Sequence, residues 1–278
     1  MSVKKNNAEK LIIQLAPTGM IPTKKENPNL PTSPSEIVDE TYAAYKLGAS
    51  CVHIHAREID GSPTYRKEIY QDIFEGIKKR CPDMIICATT SGRVDQDIKN
   101  RCEVLDLKPD MASLTLGTVN FQKCPSINRL EDVKFLAAKI YELGIKPEIE
   151  IFEPGLINMA KYLTLKGYLK PPLHFNFLMG SLGSITADFK DLVYLEGLLP
   201  LGSTWSGTGI GRFQLQTNIA SMLMGGHVRV GLEDAIYYNH EEKELASNRK
   251  LLERIVRIAG ELGREIASPE EARRILQL

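Results

Sequence analysis

The heptapeptide Cys51-Val52-His53-Ile54-His55-Ala56-Arg57 sets the frame for everything else in the chain. Val52 and Ile54 are β-branched, and the helix-like pattern before them stops at Gly48, so residues 50–55 read as a strand. Side chains alternate faces along a strand, which puts His53 and His55 on one side. Two imidazoles on one face, at the C-terminal end of a strand, can reach a single metal ion. The same spacing also suits a hydrogen-bonded pair inside a barrel, because His-x-His is short and permissive. The surrounding sequence has to separate the two.

Upstream, residues 11–15 read as strand one, followed by a Pro-rich loop over 16–32. Ser33-Pro34-Ser35-Glu36 is a helix start, with Ser as N-cap, Pro at the first helical position and Glu closing a capping box. That helix stops at Gly48. Downstream, Ile69, Ile73 and Ile77 mark the second helix by their spacing. Further strands are expected over 84–89, 111–115, 148–151, 173–178, 202–205 and 227–230. The helices between and after them fall over 95–105, 130–143, 156–165, 188–198 and 213–224, with an eighth carrying Leu251, Ile255, Ile258 and Leu262. A second capping box, Ser268-Pro269-Glu270-Glu271, opens one more helix at the C-terminus. Eight strand–helix alternations with no linker imply one (β/α)8 TIM barrel over 1–278, with an extra C-terminal helix and residues 1–10 frayed. A doubly wound open sheet would prefer a Gly-rich fingerprint after strand one, and Pro17-Thr18-Gly19-Met20-Ile21-Pro22 is not one.

The 278 residues are 43% hydrophobic and 25% charged, ordinary globular usage. Lys plus Arg and Asp plus Glu both number 35, so a net charge of zero gives no electrostatic case for nucleic acid or an anionic membrane. The five cysteines form no C-x-x-C pair, and an odd count argues for a reducing cytoplasm. No apolar run approaches the ~20 residues that span a bilayer, and Leu11-Ile12-Ile13 is too short for a signal segment.

Barrel enzymes carry their chemistry at the C-terminal ends of the strands. Strand two brings His53 and His55 there, with Arg57 just beyond. Strand three brings Thr89, Thr90 and Ser91, and strand four Ser113 and Thr115. Strand eight brings His227, Arg229 and then Glu233 and Asp234. Two His and one carboxylate make a three-ligand zinc site with room for substrate oxygens, either Glu233 or Asp234 being the third. Standing alone, Glu233-Asp234 also fits a solvated loop, and strand-end hydroxyls commonly bond local backbone. Gly207, Gly209 and Gly211 with Arg212 precede a helix, and read as a Gly-rich turn for the phosphates of a ligand.

The ordered set Asn29-Leu30-Pro31, His53 to Arg57, Lys108-Pro109-Asp110-Met111-Ala112, Gly209-Ile210-Gly211-Arg212 and Gly225-Gly226-His227 through Glu233-Asp234 resembles the β-keto acid cleavage enzymes over residues 11–278. The resemblance implies a Zn²⁺-dependent, usually homotetrameric barrel that converts a β-keto acid plus acetyl-CoA into acetoacetate plus a new acyl-CoA. It places the metal on His53, His55 and Glu233. It gives the catalytic Asp to Asp234, supported by Arg229, and the substrate hydroxyls to Thr89 and Ser113. Asp234 would take the C2 proton, kept ionised by Arg229. Members acting on amino-substituted substrates carry an acid where this chain has Ile21, which implies a neutral or apolar tail here. A metal-dependent aldolase or hydrolase using the same His-x-His is the alternative, and a non-catalytic CoA-binding barrel is the third possibility. A requirement for acetyl-CoA separates them.

Overall fold

The capping box at Ser33 forms as its sequence dictates. In the computed structural model, which describes residues 9–95 and 97–278, Glu36 N donates to Ser33 Oγ and Ser33 N to the Glu36 carboxylate at 2.9 Å, opening α1 (Pro34–Lys46). The chain then alternates. The strands are β1 (Ile13–Leu15), β2 (Cys51–Ile54), β3 (Ile85–Ala88), β4 (Met111–Thr115), β5 (Lys146–Ile151), β6 (His174–Met179), β7 (Thr204–Gly209) and β8 (His227–Val230). They close a parallel barrel in which β8 pairs with β1, so the ends of β2 and β8 open on one mouth with β1 between them. The outer helices are α2 (Lys67–Arg80), α3 (Ile98–Cys102), α4 (Leu130–Glu142), α5 (Pro154–Leu165), α6 (Phe189–Gly197), α7 (Gln214–Leu223) and α8 (Asn248–Glu261). The second capping box starts α9 (Pro269–Leu276) at Ser268. This is the expected (β/α)8 barrel with its additional helix. Of the tail expected to fray, residues 1–8 lie outside the described residues; Lys10 pairs with Glu265 and Glu271 at 3.0 and 2.8 Å.

Two differences have local causes. The helix expected over 95–105 is split into α3, capped by Asp97, and a 3-10 turn over Glu103–Leu107. Lys108 ends that turn in the left-handed region (φ 50°), ahead of Pro109, which cannot continue a helix. Strand seven runs four residues past the expected end at 205, and this bears on the site below.

The barrel interior is layered. At the bottom, α9 closes the N-terminal ends of the strands: Leu276 and Ala272 pack with Ile12, Cys51, Ile85 and Met111. Asp110 ties this floor together, accepting from Ile86 N (2.9 Å) and from Arg273 Nη1 (2.7 Å). Above it lies a polar layer centred on Glu148, which accepts from Gln14 Nε2 (2.6 Å), Asn176 Nδ2 (2.9 Å) and Cys87 Sγ (3.3 Å). The acid–apolar alternation of strand five thus turns its acids inward. Four of the five cysteines are buried and all are free thiols.

His174 and His227 sit buried near the floor with ring centroids 6.5 Å apart, and His227 Nδ1 accepts from Ile12 N (3.1 Å). Burial pulls His174 from 6.5 to about 4 and His227 well below its ordinary value. The folded state therefore binds fewer protons than the unfolded chain, and these histidines' contribution is present above 6.5 and lost as pH falls towards 4. Unfolding by denaturant at about pH 7 and about pH 5 should show this loss. The difference should shrink in a His174→Gln, His227→Gln double variant.

Candidate active site

His53 and His55 do share a face, and both are buried at the mouth of the barrel. Their Nε2 atoms stand 3.1 Å apart, and Glu233 Oε1 lies 3.2 Å from His55 Nε2 and 4.0 Å from His53 Nε2. Burial, then the charge of Arg229, pushes His53 down to about 3, so its ring is neutral and keeps a lone pair for a ligand. Burial pushes the Glu233 carboxyl up, but Arg229, His55 and His53 outweigh it and hold the group well below the carboxylate range. Two imidazole nitrogens and one carboxylate oxygen thus converge. Zinc with ligands at about 2.0–2.1 Å in tetrahedral array spaces its donors roughly 3.3 Å apart, within the observed range. Glu233 Oε2 is buried without a partner among the described residues, as a second ligand oxygen would be. The residues fit a three-ligand metal site. A second donor set, His53 with Cys87 and Glu148, also comes together. Its carboxylate already accepts three hydrogen bonds, so the first set is the better one.

Glu233 is aimed by close packing. Gly19 has φ +64°, and a Cβ there would lie 2.5 Å from Glu233 Cγ, so only glycine lets the loop after β1 lie against the acid. Gly231 plays the same part after β8, where a Cβ would stand 2.1 Å from Ala16 O. Arg57 pins the β1 loop over the mouth: Nε donates to Gly19 O (2.8 Å), Nη2 to Pro22 O (3.0 Å) and Nη1 to Gly61 O (2.9 Å).

Arg229 grips Asp234 with both arms, Nε to Oδ2 and Nη2 to Oδ1, each 2.9 Å, and Nη2 also reaches Glu233 Oε1 at 2.6 Å. One expectation is corrected here. Arg229 does pull the Asp234 carboxyl down, but burial and then the neighbouring Glu233 charge push harder, and the group rises to about 6. It is poised near neutrality rather than held far below it.

Above these groups is a cavity of about 320 Å³ lined by His55, Thr89, Thr115, Glu150, Arg229, Glu233 and Asp234. Met20, Ile21 and Pro22 form one apolar wall, and Phe121, Phe152, Leu178 and Leu182 another. Thr89 lines the cavity, and its Oγ1 accepts from Ser91 N (3.2 Å). Ser113 lies one pleat deeper, fully buried, with its Oγ accepting from Thr90 N (3.2 Å); the hydroxyl of β4 that lines the cavity is Thr115. Thr115 Oγ1 donates to Glu150, whose carboxyl burial raises to about 7.

The Gly-rich turn expected at Gly207, Gly209, Gly211 and Arg212 is also corrected. Gly207 and Gly209 are in β7, paired with Phe177 and Met179 of β6. They are glycines because α7 packs against the strand: a Cβ on Gly207 would stand 1.9 Å from Ser221 Oγ, and one on Gly209 2.2 Å from Phe213 O. Gly211 N donates to Asp234 O (2.6 Å), and Arg212 is exposed in a neighbouring surface groove with Tyr237, Tyr238 and Arg254. Gly207→Ala should therefore cost about 1–3 kcal/mol of stability in denaturant unfolding, with part recovered by Ser221→Ala.

Glu150, Arg93, Phe121 and Gln122 line the cavity without having been singled out in the sequence. Glu150 alone carried a signal, the in-facing alternation of strand five.

A family model described as beta-keto acid cleavage enzyme matches residues 10–278. The chain is 44% identical over 272 residues to the 3-keto-5-aminohexanoate cleavage enzyme of Fusobacterium nucleatum, covering 97% of this chain and 98% of that one. It is 38% identical to the 3-oxoadipate:acetyl-CoA acetyltransferase of Cupriavidus necator, covering 96% and 94%. Among solved structures, apo ObcA matches with a TM-score of 0.77 at 20% identity, over 90% of this chain and 66% of that one, a likeness of fold.

Proposed function

The chain belongs to the β-keto acid cleavage enzyme family, and from that membership we propose that it is a zinc-dependent acyltransferase converting a β-keto acid and acetyl-CoA into acetoacetate and a new acyl-CoA. The observation that carries this reading is the convergence of His53, His55 and Glu233 beside an Arg229-gripped Asp234, with His55, Glu233, Arg229 and Asp234 lining one cavity. When bound by those three residues, the metal would supply a Lewis acid for the keto and carboxylate oxygens of the substrate.

The chain's own residues do the rest. Arg229 Nη1 is buried without a partner among the described residues and is available to the substrate carboxylate. Asp234, fixed by the Arg229 fork, takes the C2 proton of the β-keto acid, and its carboxyl near 6 suits a base at neutral pH. The resulting carbanion equivalent attacks the acetyl-CoA carbonyl. The CoA thiolate then moves to the original keto carbon, the C2–C3 bond breaks, and Asp234 returns the proton to acetoacetate. Thr89 and Thr115 offer hydroxyls to the oxygens of these intermediates, a role in which Thr115 replaces the deeper Ser113. In this reading the pantetheine arm leaves the cavity, and the exposed Arg212 of the surface groove would take the CoA phosphates. In the same reading the enzyme works as a cytoplasmic homotetramer.

Ile21, between Met20 and Pro22 on the cavity wall, offers nothing to an ammonium group. A tail bearing one would be desolvated without compensation, so we place the amino-substituted β-keto acids outside the substrate range.

The test is acetoacetate formation by zinc-loaded protein with acetyl-CoA and a panel of β-keto acids. Turnover that needs acetyl-CoA, with 3-oxohexanoate preferred over 3-keto-5-aminohexanoate, supports both parts. The reverse preference would overturn the Ile21 argument, and silence across the panel would favour a metal-dependent aldolase or hydrolase.

A further inference from the structure

One cation on the cavity wall is not used by the chemistry above. Arg93 follows β3 by five residues, and its guanidinium lies over the Phe121 ring, 4.0 Å from the centroid. Phe121 in turn packs edge-on against Phe152 at 5.3 Å, so the three side chains form one continuous wall. Arg93 forms no ion pair with a carboxylate among the described residues; Cys124 is its side-chain neighbour, and its buried Nε has no hydrogen-bond partner there. The charge of Glu233 reaches it across the cavity.

The segment carrying Arg93 is held rigidly. Arg101 Nε donates to Thr90 O (2.9 Å), Tyr65 Oη to Ser91 O (2.6 Å) and Cys124 Sγ to Arg93 O (3.2 Å). Gly92 fits only as glycine, since a Cβ would stand 2.7 Å from both Arg101 Nη1 and Ile127 O. A half-buried guanidinium on a fixed loop, stacked and without a carboxylate partner among the described residues, is preorganised for a planar anion.

We propose that Arg93 is the receptor for an anionic end group on the substrate tail, so that the enzyme's substrates are β-keto dicarboxylic acids. This rests on the cleavage reading above and replaces the neutral end group suggested by Ile21 alone. The Ile21 stretch of the lining rejects a cation, and the aromatic stretch ends in one. The acids that line the cavity, Glu150, Glu233 and Asp234, all sit on the barrel mouth, so a tail leaving that end along Phe152 and Phe121 meets Arg93 as its first free charge. CoA phosphates are the other source of an anion. A cavity of about 320 Å³ takes the keto acid and the acetyl end of acetyl-CoA, whereas the phosphates lie at the far end of the pantetheine arm, outside it.

The experiment compares wild type with Arg93→Met and Arg93→Lys on 3-oxoadipate and 3-oxohexanoate. Wild type should prefer the dicarboxylate. Arg93→Met should lose at least about 30-fold in kcat/KM on it, change little on 3-oxohexanoate and keep its KM for acetyl-CoA, while Arg93→Lys recovers part of the preference. Equal losses on both keto acids would overturn the proposal. So would a raised KM for acetyl-CoA that is absent with S-acetylpantetheine, which would put the guanidinium on the CoA phosphates. If wild type turns over no β-keto acid of the panel, the amino-substituted one included, the cleavage reading has failed and the receptor is judged by calorimetry with adipate and hexanoate. Adipate binding that is lost in Arg93→Met upholds it, and equal binding of the two acids refutes it.

Discussion

Asp234→Asn should lower kcat by roughly 10³-fold, within the range that a positioned base contributes. Asparagine has the same shape, and Arg229 keeps one of its two acceptors, so the fold and the metal donors stay in place. What is lost is the carboxylate that takes the proton. The variant should also fail to speed exchange of the keto acid's C2 hydrogens for deuterium when acetyl-CoA is absent, an exchange the wild type accelerates. A kcat within about tenfold of wild type would put the proton elsewhere. Glu150, raised to about 7 by burial and facing the same cavity, would then be the base.

The second large effect is at Glu233. Glu233→Gln removes the anionic member of the donor set, leaving only the two imidazoles, 3.1 Å apart, to hold a dication. Metal content by plasma emission should fall from about one ion per chain to near zero after dialysis, and kcat should drop by at least about 10³-fold, the scale of a lost Lewis acid. Chelation of the wild type should reproduce that loss, and zinc should restore the wild type but not the variant. A variant that keeps its metal would direct attention to the other donor set, in which His53 is joined by Cys87 and Glu148.

The parts of this molecule that were legible in its sequence are those whose signals are local. Both Ser-Pro-x-Glu capping boxes form where they are written, and Met111–Thr115 is strand four to the residue. The alternation of β2 put His53 and His55 on one face without any knowledge of what lay opposite. Long-range packing hid the rest. Gly207 and Gly209 looked like a turn because a glycine needed for helix packing has the same letter as one needed for a positive φ; only Ser221 and the Phe213 carbonyl reveal which it is. Ser113 and Thr115 share a face, and alternation does not say which of two such hydroxyls stands at the cavity. The Asp234 carboxyl rises because burial outweighs an adjacent arginine, a balance that naming the pair does not give. Arg93 was missed because its meaning depends on Phe121, twenty-eight positions along, and on the lack of a paired acid among the described residues.

In the proposed reaction, carbon C2 of the β-keto acid bonds to the acetyl carbon of acetyl-CoA before the old bond breaks. Acetyl-CoA labelled with ¹³C at its carbonyl, supplied with unlabelled β-keto acid, tests it directly by carbon NMR of the products. Acetoacetate should be labelled at its keto carbon, with an equal amount of unlabelled acyl-CoA. Unlabelled products, or label only in acetate, would mean that the keto acid is cleaved without joining the acetyl group, and would contradict it.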